Sequence, residues 1–252
     1  MDWTLLFWLA VTLVILLFVE RWVHRHLQGV MLLITGDHKL AAVLYALPLL
    51  PGIALHELSH AVAATLLMVK VGRISIRPKR TGRRIQLGFV PVEKTDVVRA
   101  SLIGLAPLLT GCGVILLIGY RIFGVDAVSA AFAAGNWPTL LAEVRRALAA
   151  PDAWVWAYVI FTVSNTMMPS QADRQTWATV MLFLILAGIA IWSAGWGPVV
   201  VACLSRPVAV ALRWLITVCA LTVAVDLPFA LLIALTEKLL ERVKGWQVDY
   251  QG

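Results

Sequence analysis

The chain has 252 residues, 61% of them hydrophobic and only 14% charged, with a mean hydropathy of +0.87. A soluble domain carries about 25% charged and about 45–50% apolar residues, so this composition excludes an ordinary soluble enzyme and predicts a polytopic membrane protein. The net charge of +7 does not argue for a nucleic-acid partner, because the basic residues gather in one loop beside apolar segments and read as a membrane-surface feature.

A spanning helix needs roughly 20 mostly apolar residues. Six candidate spans follow in chain order: 3–22, 41–69, 97–120, 153–170, 175–195 and 208–236. The expected fold is an all-α polytopic membrane protein, a single membrane-embedded domain over 1–252. It has about six transmembrane helices and a small β-hairpin between the second and third. The first run ends on Glu20-Arg21-Trp22 without a small-residue cleavage site, so it is expected to stay as a helix and not to be removed as a signal peptide. The apolar stretch 29–35 is too short to cross and is expected to dip into the interface or pack on the bundle. Cys112, Cys203 and Cys219 lie far apart and read as buried packing residues, not as a zinc pattern or a disulfide framework.

Residues 70–95 differ from everything around them. Residues 73–77 alternate polar and apolar, as do 85–87 before Gly88-Phe89-Val90, and Pro78-Lys79-Arg80-Thr81-Gly82 between them is turn chemistry. A basic β-hairpin is therefore expected here. Nine of the 21 Lys and Arg residues fall between 70 and 99, which makes this loop cytoplasmic by the positive-inside tendency. Threading six helices from that anchor places both termini in the cytoplasm, with Arg21 and Arg25 outside and Lys238, Arg242 and Lys244 inside. The segment 121–152 becomes an extracytoplasmic loop. Within it, Leu140, Leu141, Val144 and Leu148 follow Asn136-Trp137-Pro138 at helical spacing, the pattern of an amphipathic helix on the membrane surface.

Inside the second candidate span lies His56-Glu57-Leu58-Ser59-His60, an HExxH motif. Ionisable groups are costly in hydrocarbon, so their presence there calls for a functional reason. On a helix, residues four apart share a face, which lets His56 and His60 hold one Zn²⁺. Glu57, one residue along, is placed to take a proton from zinc-activated water and return it to a leaving amine. Pro51-Gly52 just upstream can break the segment and start a fresh helix before the motif. A catalytic zinc takes three protein ligands and one open position. His24, His26 and His38 lie outside the spans and read as solvated, which leaves Asp173, Asp226 and, less well placed, Glu20. Asp173 ends a span running in the same direction as the HExxH span, so the two can meet at one depth. Asp226 lies mid-span and reads either as a ligand or as a polar contact between helices.

Three stretches resemble the site-2 protease family of intramembrane zinc metalloproteases. They are His56–Ala61, Leu105-Ala106-Pro107-Leu108-Leu109-Thr110, and Asn165-Thr166-Met167-Met168-Pro169-Ser170-Gln171-Ala172-Asp173. The second is similar to the family's alanine-glycine-proline stretch. The third is similar to its asparagine, proline, then leucine-aspartate-glycine motif. The resemblance covers about 41–175, the expected catalytic core. It implies that Asp173 is the third ligand of one Zn²⁺ per chain, and that Asn165 helps to hold substrate or transition state. It also implies a single-pass membrane protein as substrate, while the charge threading places the site toward the cytoplasmic side of the cell (inner) membrane. Ala172-Asp173-Arg174 departs from leucine-aspartate-glycine, Pro169 falls one position late, and Thr110 stands where asparagine is common. The expected activity is hydrolysis of a peptide bond in or near a transmembrane segment, with the hairpin edge holding unwound substrate or anchoring to anionic headgroups. Two alternatives stand beside it: a zinc-binding membrane scaffold without proteolysis, and a transporter, which would carry a repeat symmetry that the sequence lacks.

Overall fold

A computed structural model describes residues 3–72, 79–81, 84–86, 93, 95–248 and 250. The chain opens with α1 (Trp3–Thr35) and α2 (His38–Leu44), followed by a single 3-10 turn at Leu47–Leu49 and α3 (Leu50–Leu66). Two strands of three residues each, β1 (Lys79–Thr81) and β2 (Arg84–Gln86), precede α4 (Val97–Arg121), α5 (Val125–Ala133), α6 (Trp137–Leu148) and α7 (Ala153–Ser164). The chain then closes with α8 (Trp177–Ser193) and α9 (Gly197–Lys244).

The expected architecture of six spanning helices with a hairpin over 70–95 is corrected by this arrangement. Among the described residues four helical segments are long and apolar enough to cross a membrane: Trp3–Thr35, His38–Leu66, Val97–Arg121 and Gly197–Lys244. The expected span 153–170 stops at Ser164, since Pro169 lacks an N–H and disfavours helix in the residue before it. Its helix α7 joins α6 through a 90° bend, and only the pair together has the length of a span. The expected span 175–195 is α8, apolar but 17 residues long and with no buried residue. Stretch 29–35 does not dip separately; it continues α1. The polar run from Glu20 to His26 looked like a helix end, yet it finds partners on α9, and α1 continues to Gly36, whose φ of 65° ends it.

The expected hairpin is corrected in the position of its strands. The expected strand at 73–77 lies outside the described residues, and β2 takes up only the start of the alternating stretch 85–87. β1 occupies the stretch assigned to the turn, and it pairs with β2 in the register Lys79↔Gln86 and Thr81↔Arg84. Only residues 82–83 separate the strands, and a Gly-X pair suits a two-residue hairpin, a signal overshadowed in the sequence by Pro78. Residues 73–78 and 87–92 lie outside the described residues.

α1 and α9 run parallel. Phe18, Val19 and Trp22 line a groove with Leu227, Ala230, Leu231 and Ala234, and further along both helices His26 meets Glu237. Arg21 and Arg25 therefore share one end of the molecule with Lys238 and Arg242, groups that the six-helix threading had set on opposite sides. α7 is central to the packing. Its Phe161 joins Val23, Leu27, Leu49 and Ile53 in one apolar cluster, while Ile160 and Val163 join Ile115, Ile118 and Val218 in another. Where 121–152 was expected to carry one amphipathic helix, α5 and α6 occupy it. Trp137, Leu141, Val144 and Leu148 form an exposed apolar edge of α6. Asp96 caps α4 by accepting from the N–H groups of Val98 and Arg99, and the Arg99 N–H first, then the guanidinium, hold its carboxyl below the usual aspartate range.

Candidate metal centre

Pro51 at the first turn of α3 restarts the helix after the 3-10 turn, as the Pro-Gly pair suggested, and puts His56, Glu57 and His60 two turns in. The imidazoles of His56 and His60 face each other with Nε2 atoms 3.2 Å apart. Asp173 reaches them from the strap after α7, with Oδ1 3.3 Å from His60 Nε2 and Oδ2 4.0 Å from His56 Nε2. The three ligand atoms lie within 4.8 Å of one another. Donors held at about 2.0–2.2 Å around a tetrahedral zinc stand a little over 3 Å apart by simple geometry, so the spacing fits.

The direction of the lone pairs fits as well. His60 Nδ1 lies 2.9 Å from the carbonyl oxygen of Ile103. A carbonyl only accepts, so Nδ1 carries the proton and Nε2 presents its lone pair to the group. The Ile103 carbonyl is free because its helical partner four residues on is Pro107, which has no N–H. The sequence showed Pro107 only as part of a family-like stretch; its physical role here is to supply a carbonyl for a histidine. His56 Nδ1 is buried beside the Thr166 backbone without an aligned hydrogen bond. A proton on His60 Nε2 can serve one of its two acceptor neighbours, whereas a cation at the centre serves all three.

Asp173 is pre-set by its own turn. Oδ2 accepts from the Ser170 N–H at 2.7 Å, and the Asp173 N–H donates to Ser170 Oγ at 3.3 Å. Arg174, where the family has glycine, needs no left-handed backbone, since Met68 and Asp152 are the only described non-glycine residues with positive φ. Two glycines allow the close approach of these elements. A Cβ on Gly104 would stand 2.4 Å from the Asp173 carbonyl oxygen, and one on Gly52 2.1 Å from that of Thr162. Neither position had been singled out for packing.

Glu57 is 8% exposed, forms no ion pair with a described residue, and is close enough to Asp173 to feel its charge. Asn165 does not join the His–Asp group. Its Nδ2 donates to the Phe161 carbonyl at 2.8 Å and to Asp226 Oδ2 at 3.3 Å, while its Oδ1 is buried without a partner. Asp226 is thus a contact between α7 and α9 and stands apart from the metal ligands. Glu20 lies 3.7 Å from His24, which also bonds the Tyr45 hydroxyl. The expectation that His24 and His26 are solvated is corrected: His26 stacks on Trp22 with ring centroids 4.0 Å apart and bonds Glu237 at 2.6 Å.

Fold and site together define a helical, membrane-type protein with four segments long and apolar enough to cross a bilayer and a His–His–Asp group placed to hold a metal. No family model, no curated protein and no solved structure matches the chain.

Proposed function

We propose that the chain is an intramembrane zinc metalloprotease that hydrolyses a peptide bond in or near the transmembrane segment of a single-pass membrane protein. The observation that carries this reading is the convergence of His56, His60 and Asp173 beside a buried Glu57 on an apolar span. The resemblance of the same residues to the site-2 protease family supports it.

His56 Nε2, His60 Nε2 and an Asp173 oxygen would hold one Zn²⁺. Bound there, the ion supplies Lewis acidity, which acidifies water toward neutral pH and polarises a carbonyl. Glu57 takes the proton of the attacking water on its carboxylate and returns it to the leaving amide nitrogen. The Ile103 carbonyl keeps His60 in the tautomer that points Nε2 inward. The Asn165 amide nitrogen is surrounded by the acceptors of Phe161, Ser164 and Asp226, so its free group is the Oδ1 acceptor, suited to a substrate peptide N–H.

The basic stretch 70–99 follows α3 at the end nearer His60, which favours a site in the cytoplasmic half of the cell (inner) membrane. A parallel α1 and α9 fits five crossings, with the bent α6–α7 pair as one. On that reading the N-terminus lies in the cytoplasm and the C-terminus outside.

The test is purified protein assayed for zinc and for cleavage of a tethered single-span substrate in liposomes. About one Zn²⁺ per chain and cleavage that E57Q strongly reduces are expected. Absence of stoichiometric zinc would sink the proposal, and zinc without cleavage would leave a metal-binding scaffold.

A further inference from the structure

Asp226 is fully buried, 0% exposed, on an apolar helix, and the proposed chemistry does not use it. Cohesion between α7 and α9 does not need it either, since Val163 and Val218 already pack there. A buried carboxyl with no lysine or arginine paired to it among the described residues is costly, and an apolar side chain would cost less. What the carboxyl provides is two acceptors in a fixed place. Ser164 Oγ donates to Oδ1 and Asn165 Nδ2 to Oδ2, both at 3.3 Å. These are consecutive residues at the end of α7, where the strap to Asp173 begins. The next residues along it touch the site. Thr166 Oγ1 lies against Gly52, one turn before His56, and Met167 packs on Gly111 of α4.

We propose that Asp226 is a positioning residue of the metal centre: held from α9, Ser164 and Asn165 fix the start of the strap that delivers Asp173 to His56 and His60. The proposal rests on the metal site of the reading above and is independent of proteolysis. The acceptor geometry matters and the negative charge does not. In D226N an amide oxygen still receives Asn165, and Ser164 Oγ, which has the Phe161 carbonyl at 3.0 Å for its proton, accepts from the new amide N–H.

The experiment measures Zn²⁺ affinity of the full chain in detergent by competition with a chelator, alongside the melting temperature of the metal-free protein. D226A is expected to bind Zn²⁺ about tenfold to a hundredfold more weakly, the usual effect of losing an outer-shell partner. D226N should stay within about threefold of wild type. N165A, which removes the contact from the α7 side, should weaken binding, and the double variant should add little to either. Equal affinity in D226A and wild type overturns the role. So does equal weakness of D226A and D226N. If D226A melts early without metal while N165A binds Zn²⁺ normally, Asp226 is a packing residue and the role is overturned. Wild type that takes up no Zn²⁺ overturns the proposed function and this role together.

Discussion

Two regions of the molecule bury histidines beside carboxylates, and they are built in opposite senses. At the α1–α9 seam and beside it the histidines are paired with carboxylates and hydroxyls. His26 bonds Glu237, Glu237 accepts from the Tyr250 hydroxyl, and His24 lies between Glu20 and the Tyr45 hydroxyl. These partners hold the two histidines by complementary groups. At the α3 site the N–H of His60 points away to Ile103, and its lone pair converges with His56 and Asp173 on one point. Residue types are the same in both places, so composition does not separate a structural network from a ligand site; the direction of the lone pairs does.

The sharpest way to break this comparison is to delete one histidine from each region. H60A, H56A and D173A should lose stoichiometric zinc, measured by elemental analysis, while H26A should keep it. E57Q should retain zinc and lose about 10²- to 10⁴-fold in cleavage, the span of a general base, as read in the liposome assay. H26A leaves Glu237 short of a partner, so metal-free stability should drop by about 1–3 kcal/mol in a denaturant titration with zinc affinity unchanged. An H26A protein that lost zinc would merge the two regions into one functional unit.

A smaller effect is expected from P107A. Restoring an N–H four residues after Ile103 gives that carbonyl a helical partner that competes with His60. Zinc affinity should fall by up to about tenfold, and nitrogen NMR of the imidazole should report a less fixed tautomer.

The smallest effect concerns pH at the seam. Burial first, and then its bond to Glu237, hold the Tyr250 hydroxyl above its ordinary value of 10.0. A raised value in the folded state means that the docking of this tail is at full strength below pH 10 and weakens as pH rises through the raised value. Trp246 fluorescence should stay constant through neutral pH and change only above about pH 10, and Y250F should remove that change. A transition near pH 7 would assign tail docking to a different group.

Much of the site was legible along the chain because helix periodicity is local. The spacing of His56 and His60 fixed their common face before any tertiary fact was known. Depth and resemblance favour Asp173, and it stands in the group, whereas Asp226 pairs with Ser164 and Asn165. The span count was less legible. Apolar runs at 153–170 and 175–195 satisfied a composition window, but Pro169 ended one helix in practice and length disqualified the other. His24 and His26 were misread for the complementary reason: polar residues at a run's end look solvated until a second helix supplies partners.

By itself the sequence determined a hydrophobic helical protein with a two-histidine, one-glutamate motif on one of its apolar helices, since those properties follow from residue type and spacing within a few turns. Tertiary structure decided the rest. It chose between Asp173 and Asp226, turned the amide of Asn165, docked His60 on the Ile103 carbonyl, and set α1 parallel to α9. Each of these depends on which backbones can approach, and that is governed by glycines and hydrogen-bond partners far apart in the chain.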